Sequence, residues 1–342
     1  MKNNILIRLL ACILGFVLAV AILAGTVCVY LNSPASPQGE AVLFHIQKGS
    51  SALGIANSLA DAGLIRSSDF AYLYTRMRNL TLKAGTYRLS PGQSTAATIR
   101  YIAAGKQESV RVTVPEGLSL LKTARHLEDA GVVGEKDFLA AARDPGVLSR
   151  YGLKGRTAEG FLFPDTYFFP YGSDAETVVA IMVDTFFKRT AEIPNLPTSP
   201  GELYDKVVLA SIIEREYRVA SEAPLISSVF MNRLKIGMGL QSCATVEYII
   251  TEIQGKPHPG RLLVSDLEIQ SDYNTYLWAG LPPGPISSPG RVALDAAMNP
   301  ADTNYLYFRL TDSENGTHSF THSLGEHVKA GKLLDLKKAA GK

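Results

Sequence analysis

Residues 46–63, IQKGSSALGIANSLADAG, and residues 114–131, VPEGLSLLKTARHLEDAG, align without a gap at an offset of 68. Gly49/Gly117, Ser51/Ser119, Ala56/Ala124, Leu59/Leu127, Asp61/Asp129, Ala62/Ala130 and Gly63/Gly131 are identical pairs, and Asp69/Asp137 and Phe70/Phe138 extend the match. The register marks an internal repeat. Each copy reads as a short strand, a turn at the first glycine, and a helix carrying Ala56 and Leu59 or Ala124 and Leu127 on one face. The helix stops at Ala-Gly, where glycine takes the left-handed conformation at little steric cost. A second helix starts near Ser68-Asp69 or Lys136-Asp137, with the aspartate at or near its N-cap.

Outward from the repeat, Lys83–Leu89 reads as a strand packed beside the first copy, and Thr95–Ala104 as a helix. The strand-helix-helix unit resembles LysM-like modules, which bind N-acetylglucosamine-containing glycans, although small βαα units also serve as plain scaffolding. The expected fold class is α+β: an N-terminal transmembrane helix, LysM-like βαα modules and a mixed α/β catalytic domain. The expected boundaries are a cytoplasmic tail at 1–8, a signal anchor at 9–31, a Pro/Ser linker at 32–40 and a LysM-like domain at 41–110. A second repeat with a connecting subdomain follows at 111–200, then a catalytic domain at 201–336. The run IPNLPTSPG (193–201) makes the last of these a soft boundary.

The N-terminus decides the compartment. Leu9–Leu31 is unbroken apolar sequence with Thr26 as its strongly polar exception, long enough to cross a bilayer core of roughly 30 Å as a helix. Lys2 and Arg8 precede it, so the chain after Leu31 is expected on the far side of a bacterial cytoplasmic membrane. A cleaved signal peptide would have a shorter apolar core and a small-residue cleavage site, which is not evident here. The segment NSPASPQGE (32–40) reads as a tether without apolar period. Net charge is +2, and no basic stripe with interleaved aromatics suggests nucleic acid. Of three cysteines, Cys12 and Cys28 lie in the apolar span, which leaves Cys243 as the one exported thiol and no intrachain disulfide.

The candidate chemistry centres on Glu214, at the end of the apolar run Val207–Ile213. If Tyr204–Tyr217 is helical, Ser211, Ala210 and Val207 share its face, and an apolar wall would keep the carboxyl protonated near neutral pH. The competing reading is a surface glutamate paired with Arg218 one turn on. Polar clusters follow: Asn232-Arg233-Leu234 at the end of a helix from Glu222, Leu240-Gln241-Ser242, and Tyr273-Asn274-Thr275-Tyr276 before a Gly-Leu-Pro-Pro-Gly turn. Neutral donors and aromatic faces around one acid suit a sugar, while core packing explains Tyr273 and Tyr276 equally well. Phe161 and Phe163 read as core, but Glu159 beside them needs a partner.

The strings LASIIERE, SVFMNRL, LQS, YNTY, GLPPGPISSPG and HSFTHSLGEH, preceded by KAGTYRLSPG and EGFLFPDTY, resemble the YceG-like family of endolytic murein transglycosylases from the anchor to Lys329. The resemblance implies that Glu214, the first glutamate of IIERE, is the catalytic acid/base, with Glu216 not carried over. Gln241, Tyr273, Asn274, Thr275, Tyr276 and Glu159 become the candidate substrate-binding residues. The family usually continues from LQS with Asp-Pro-Thr-Val; here Cys243-Ala244-Thr245-Val246 follows, a departure that puts the family's acidic side chain at position 243 out of the expected site. No metal or cofactor is implied. The implied reaction cleaves the bond between N-acetylmuramic acid and N-acetylglucosamine to leave a 1,6-anhydro end. The anchor implies nascent strands as substrate and wall synthases such as penicillin-binding proteins as partners.

Three rivals remain. A non-catalytic peptidoglycan-binding scaffold on a membrane tether would use the same repeats. Metal-dependent hydrolysis would rest on His318, His322 and His327, whose spacing by four and five suits a strand better than a ligand set. An older reading of the family as aminodeoxychorismate lyases would need a pyridoxal-phosphate lysine and a cytoplasmic site, against the anchor.

Overall fold

A helix that is apolar on every side needs a medium other than water, and α1 (Lys2–Asn32) is such a helix. The computed structural model describes residues 2–331; Met1 of the expected tail and 332–336 of the expected catalytic domain lie outside the described residues. Residues Ile7–Asn32 are long and apolar enough to span a membrane, and none of the most apolar stretch within them is buried against protein. Thr26 satisfies its hydroxyl inside the helix by donating to Ile22 O at 2.9 Å.

The chain forms two compact units, one running to Val110 and including Pro170–Gly172, the other made of Arg111–Phe169 and Ser173 onward. In the first unit, β1 (Val42–Ile46), α2 (Ala52–Asp61), α3 (Ser68–Met77) and β2 (Gly85–Leu89) precede α4 (Thr95–Ala104). β1 and β2 are antiparallel, with Val42 opposite Leu89 and Ile46 opposite Gly85. Ile55, Ala56 and Leu59 of α2 meet Ile46, Tyr87, Leu89, Ile99 and Ile102 in one core. Thus the strand expected at 83–89 is β2, and the helix expected at 95–104 is α4.

The expected tether is not free. Asn32 Oδ1 accepts the Ala96 amide at the start of α4 (2.9 Å), and Thr95 Oγ1 donates to Leu31 O (3.1 Å). The Arg66 guanidinium lies 4.9 Å from the Tyr30 ring centroid and donates to Ser33 Oγ at 3.0 Å. The Ser36 amide donates to Pro91 O, and Ser90 Oγ to Gly39 O. Segment 33–40 lacks regular structure, as composition indicates, but its backbone is pinned to the 90–92 turn.

The second unit starts with the repeat's second copy. β3 (Ser109–Thr113), α5 (Leu120–Asp129), α6 (Glu135–Ala141), α7 (Pro145–Arg150) and β4 (Thr166–Pro170) follow in order, and β3 pairs with β4. The 68-residue offset superposes α2 on α5 residue for residue, and Ser51 and Ser119 cap them alike by accepting the amides of Gly54 and Lys122. The second helices start close to where expected, at Ser68 and Glu135, with Ser67 capping α3, Gly134 preceding α6, and Asp69 and Asp137 inside the first turn.

Next come α8 (Ala175–Thr190), α9 (Pro200–Ile213), α10 (Ala223–Lys235), α11 (Cys243–Tyr248), α12 (Arg291–Met298) and the hairpin β5 (Tyr307–Asp312) and β6 (Thr317–Thr321). The second repeat and the later elements fall in one unit, with no division near residue 200. From Val207 to Ile213 every residue of α9 is buried. Ser211 survives there because its hydroxyl donates to Val208 O and accepts the Ile286 amide, while Ser287 Oγ donates to Ser211 O at 3.0 Å. The helix expected to run through Tyr217 ends at Ile213, with Glu214 as its C-cap.

Candidate active site

Because α9 ends at Ile213, Glu214 and Glu216 leave the helix in different directions. Glu214 Oε2 accepts the Gly290 amide at the start of α12 (2.9 Å), and the Tyr217 hydroxyl lies 3.5 Å from both oxygens. Desolvation, together with the nearby Glu116 charge, pushes Glu214 up to about 7 against the pull of the Gly290 hydrogen bond. Glu214 thereby ties the Ser-Ser-Pro-Gly turn to the helix end.

Glu216 opens elsewhere. It lines a cavity of about 470 Å³ with Arg215, Arg218, Gln241, Cys243 and Tyr276. Glu216 Oε1 accepts the Ser242 hydroxyl, and Oε2 has no protein hydrogen bond among the described residues. Burial raises this carboxyl to about 7 as well, offset in part by Ser242 and reinforced by the Glu247 charge. Arg215 and Arg233 pull it down only in part, the Arg215 guanidinium being held by Glu247 Oε2 at 3.1 Å.

The loop that faces Glu216 is built by residues first read as ligand-binding. Thr275 O accepts the Gln241 amide (3.0 Å), Thr275 Oγ1 accepts the Ser242 amide (3.1 Å), and Thr245 Oγ1 meets it at 3.0 Å. These bonds hold Gln241 at φ +50, a left-handed conformation that a non-glycine residue adopts at a cost. Asn274 is fully buried; its Nδ2 donates to Leu267 O and Ile269 O. Asn274 and Thr275 are therefore scaffold, a correction to their expected contact with substrate. Gln241 and Tyr276 do reach the Glu216 cavity, where the Tyr276 hydroxyl lies 3.1 Å from Cys243 Sγ. Arg233, buried, donates to Leu240 O (2.6 Å) and Leu306 O (2.7 Å) and locks the wall.

Tyr273 and Glu159 belong to another cavity, of about 490 Å³, that shares no lining residue with the first. Glu159 has the partners it needed: Oε1 accepts the Leu120 amide at 2.6 Å and Oε2 the Tyr248 hydroxyl at 3.1 Å. Burial nonetheless pushes it up to about 8. Phe161 and Phe163 are core, packed on Phe186. The three histidines are engaged separately: His318 Nδ1 with Glu222 Oε2 at 2.7 Å, His322 stacked on Tyr305, His327 beside Tyr307. Among the described residues no group of His, Cys, Asp and Glu is arranged to hold a metal ion.

A carboxyl raised to about 7 on a polar cavity, with an amide and a phenol beside it, is equipment suited to protonating a leaving oxygen on a hydroxyl-rich substrate. The family can be stated directly. The model of the YceG-like family matches residues 44–332, and the chain belongs to that family. It is 32% identical to an endolytic murein transglycosylase of Bacillus subtilis over 84% of this chain and 83% of the relative. It is 27% identical to an endolytic murein transglycosylase of Streptococcus pneumoniae, covering 83% of this chain and 58% of that longer protein. A crystal structure of a yceG-like protein from Listeria monocytogenes superposes with a TM-score of 0.57 at 31% identity, over 85% of this chain and 99% of that one.

Sequence reading had weighed Glu214 and set Glu216 aside. The structure puts the Glu214 carboxyl on the Gly290 amide and the Glu216 carboxyl on the Ser242 hydroxyl, beside Gln241. Which of two glutamates faces it depends on where α9 stops, and an apolar run that is buried on all sides carries no period to mark its end.

Proposed function

We propose that this protein is a membrane-anchored endolytic peptidoglycan transglycosylase that cleaves the β-1,4 bond between N-acetylmuramic acid and N-acetylglucosamine and leaves a 1,6-anhydromuramyl end. The observation that carries the reading, beside family membership, is Glu216: a carboxyl raised to about 7 on a cavity with Gln241 and Tyr276. Protonated Glu216 donates to the glycosidic oxygen as the anomeric C–O bond breaks, and the N-acetylglucosamine side leaves as an alcohol. The resulting carboxylate takes the proton of the muramic C6 hydroxyl, whose oxygen closes on the anomeric carbon. No water is consumed, and Glu216 ends the cycle protonated.

One carboxyl suffices because the nucleophile belongs to the substrate; hydrolytic glycosidases need a second carboxylate to supply or activate theirs. Gln241 and Tyr276 supply neutral hydrogen bonds to hold the muramic ring. Glu214, with Glu116 nearby and its oxygen committed to Gly290, is the competing acid. Bare α1 supports a single-pass anchor with the N-terminus cytoplasmic, which would confine cleavage to glycan near the membrane and so to nascent strands beside their synthases. The repeated βαα units support glycan binding by a LysM-like module.

Mass spectrometry of products from uncross-linked strands, using the full chain in detergent, tests the reaction. Anhydromuramyl ends are expected; reducing ends would make it a hydrolase, and binding without cleavage would favour the scaffold.

A further inference from the structure

The cavity holding Glu159 and Tyr273 takes no part in the proposed reaction, yet it is built with care. Tyr204, Tyr248 and Tyr273 wall it, with the Tyr248 and Tyr273 rings 5.1 Å apart. Their hydroxyls are fixed: Tyr204 donates to Pro283 O at 3.1 Å and Tyr248 to Glu159. Burial raises all three phenols, Tyr273 to about 12, so they stay neutral. Two glycines make room. A Cβ at Gly284 would sit 2.8 Å from the Tyr273 hydroxyl and 3.0 Å from that of Tyr204, and one at Gly155 would meet the Tyr204 ring at 2.8 Å.

At the rim stand Lys154 and Arg156, both exposed and neither in an ion pair among the described residues. The lining includes no asparagine or glutamine, the side chains that read the acetamido groups of murein sugars, whereas the Glu216 cavity has Gln241. Of the acids in the same lining, Glu159 is engaged by the Leu120 amide and the Tyr248 hydroxyl, which leaves two cations to Asp272, and with the tyrosines they suit a carboxylate on a small apolar body. The cavities share α11 as a wall: Glu247 holds Arg215 next to Glu216, while Tyr248 holds Glu159. A ligand here would be within one short helix of the cleavage site.

We propose that this cavity is a stem-peptide subsite: it binds the carboxylate-bearing peptide carried by murein, with Lys154 and Arg156 on the carboxylate and the three tyrosines against the alanyl and methylene groups. The identity of the ligand rests on the transglycosylase reading, but its binding is measured without turnover.

The experiment titrates the full chain in detergent with free murein stem peptide by calorimetry, beside the Lys154→Ala/Arg156→Ala double variant and Gly284→Ala, which puts a methyl group between the tyrosines. Both rim residues are exposed, so the double variant should fold as wild type does. Expected are saturable binding to wild type and to Glu216→Gln, at least tenfold weaker binding to the double variant, and weakening by Gly284→Ala. On peptide-bearing strands the double variant should raise KM severalfold with kcat held, and on strands stripped of peptide by an amidase it should match wild type. Absence of peptide binding, binding undiminished in the double variant, or displacement of the peptide by a peptide-free chitooligosaccharide would overturn the assignment. If the stripped strands are not cleaved by any form while the peptide still binds, the transglycosylase reading fails and the subsite stands.

Discussion

Glu214 and Glu216 emerge from one helix end two residues apart, and both are held near 7, yet their surroundings differ in what they leave over. Around Glu214 one oxygen accepts the Gly290 amide, tying the start of α12 to α9, and the other has only the Tyr217 hydroxyl at 3.5 Å. Around Glu216 one oxygen accepts the Ser242 hydroxyl, on a cavity that Gln241 also lines in a conformation that costs energy. A raised pKa by itself reports burial, and burial is common to both. What separates a catalytic acid from a structural one is whether a substrate oxygen can reach the proton.

The largest expected effect is on turnover. Glu216→Gln, nearly isosteric but unable to donate and reclaim a proton, should lower kcat by about 10³-fold or more, in the range of general-acid loss together with lost base function. Glu214→Gln keeps an oxygen for the Gly290 amide and should stay within about tenfold of wild type. Equal losses would break the comparison, and steady-state release of soluble glycan measures both.

Next in size are the residues that make the Glu216 wall. Thr275→Val removes the hydroxyl that accepts the Ser242 amide, so Ser242 shifts against Glu216 and kcat should fall by roughly 10- to 100-fold, the 1–3 kcal/mol of a buried hydrogen bond lost. Gln241→Ala and Tyr276→Phe should each cost about tenfold, chiefly in KM. Rates unaffected by all three would move the substrate to another face.

The fold was legible where the pattern was local. The repeat, β2 and α4 all follow from residues within one turn or one strand pair of each other. The site was half legible. Gln241, Tyr276, Tyr273 and Glu159 were picked out, but their partition between two cavities was not, because Tyr273 and Tyr276 lie three apart in a turn whose direction is set by Asn274 bonding to Leu267 O and Ile269 O. Asn274 and Thr275 looked like sugar-binding groups because the side chains that satisfy buried backbone are the same ones that satisfy hydroxyls. The pinned 33–40 segment escaped too: its Pro/Ser composition describes the chain without the turn at 90–92 that holds it.

A smaller effect concerns pH. Activity needs protonated Glu216, so kcat/KM should decline above about pH 7, and the decline should persist in Glu214→Gln. A limb that disappears in Glu214→Gln would assign the titration to the other carboxyl.

The smallest effect is on stability. Glu159, Glu214 and Glu216 have folded pKa values raised above the ordinary carboxylate value of 4.5, to about 8, 7 and 7. The folded state therefore binds their protons more tightly; their contribution to stability is fully present below about pH 4.5 and is lost as pH rises through 7 to 8. Thermal unfolding of Glu159→Gln should match wild type near pH 4.5 and exceed it near pH 9 by roughly 1–3 kcal/mol. A gain that is the same at both pH values would mean that ionisation of Glu159 is not the cause.

The most direct test is a crystal structure of the Glu216→Gln protein with an uncross-linked murein tetrasaccharide bound across the cleavage site. The scissile oxygen should lie about 3 Å from the residue 216 carboxamide, with the muramic ring against Gln241 and Tyr276. A scissile oxygen seated instead at Glu214, between Tyr217 and Gly290, would contradict the account.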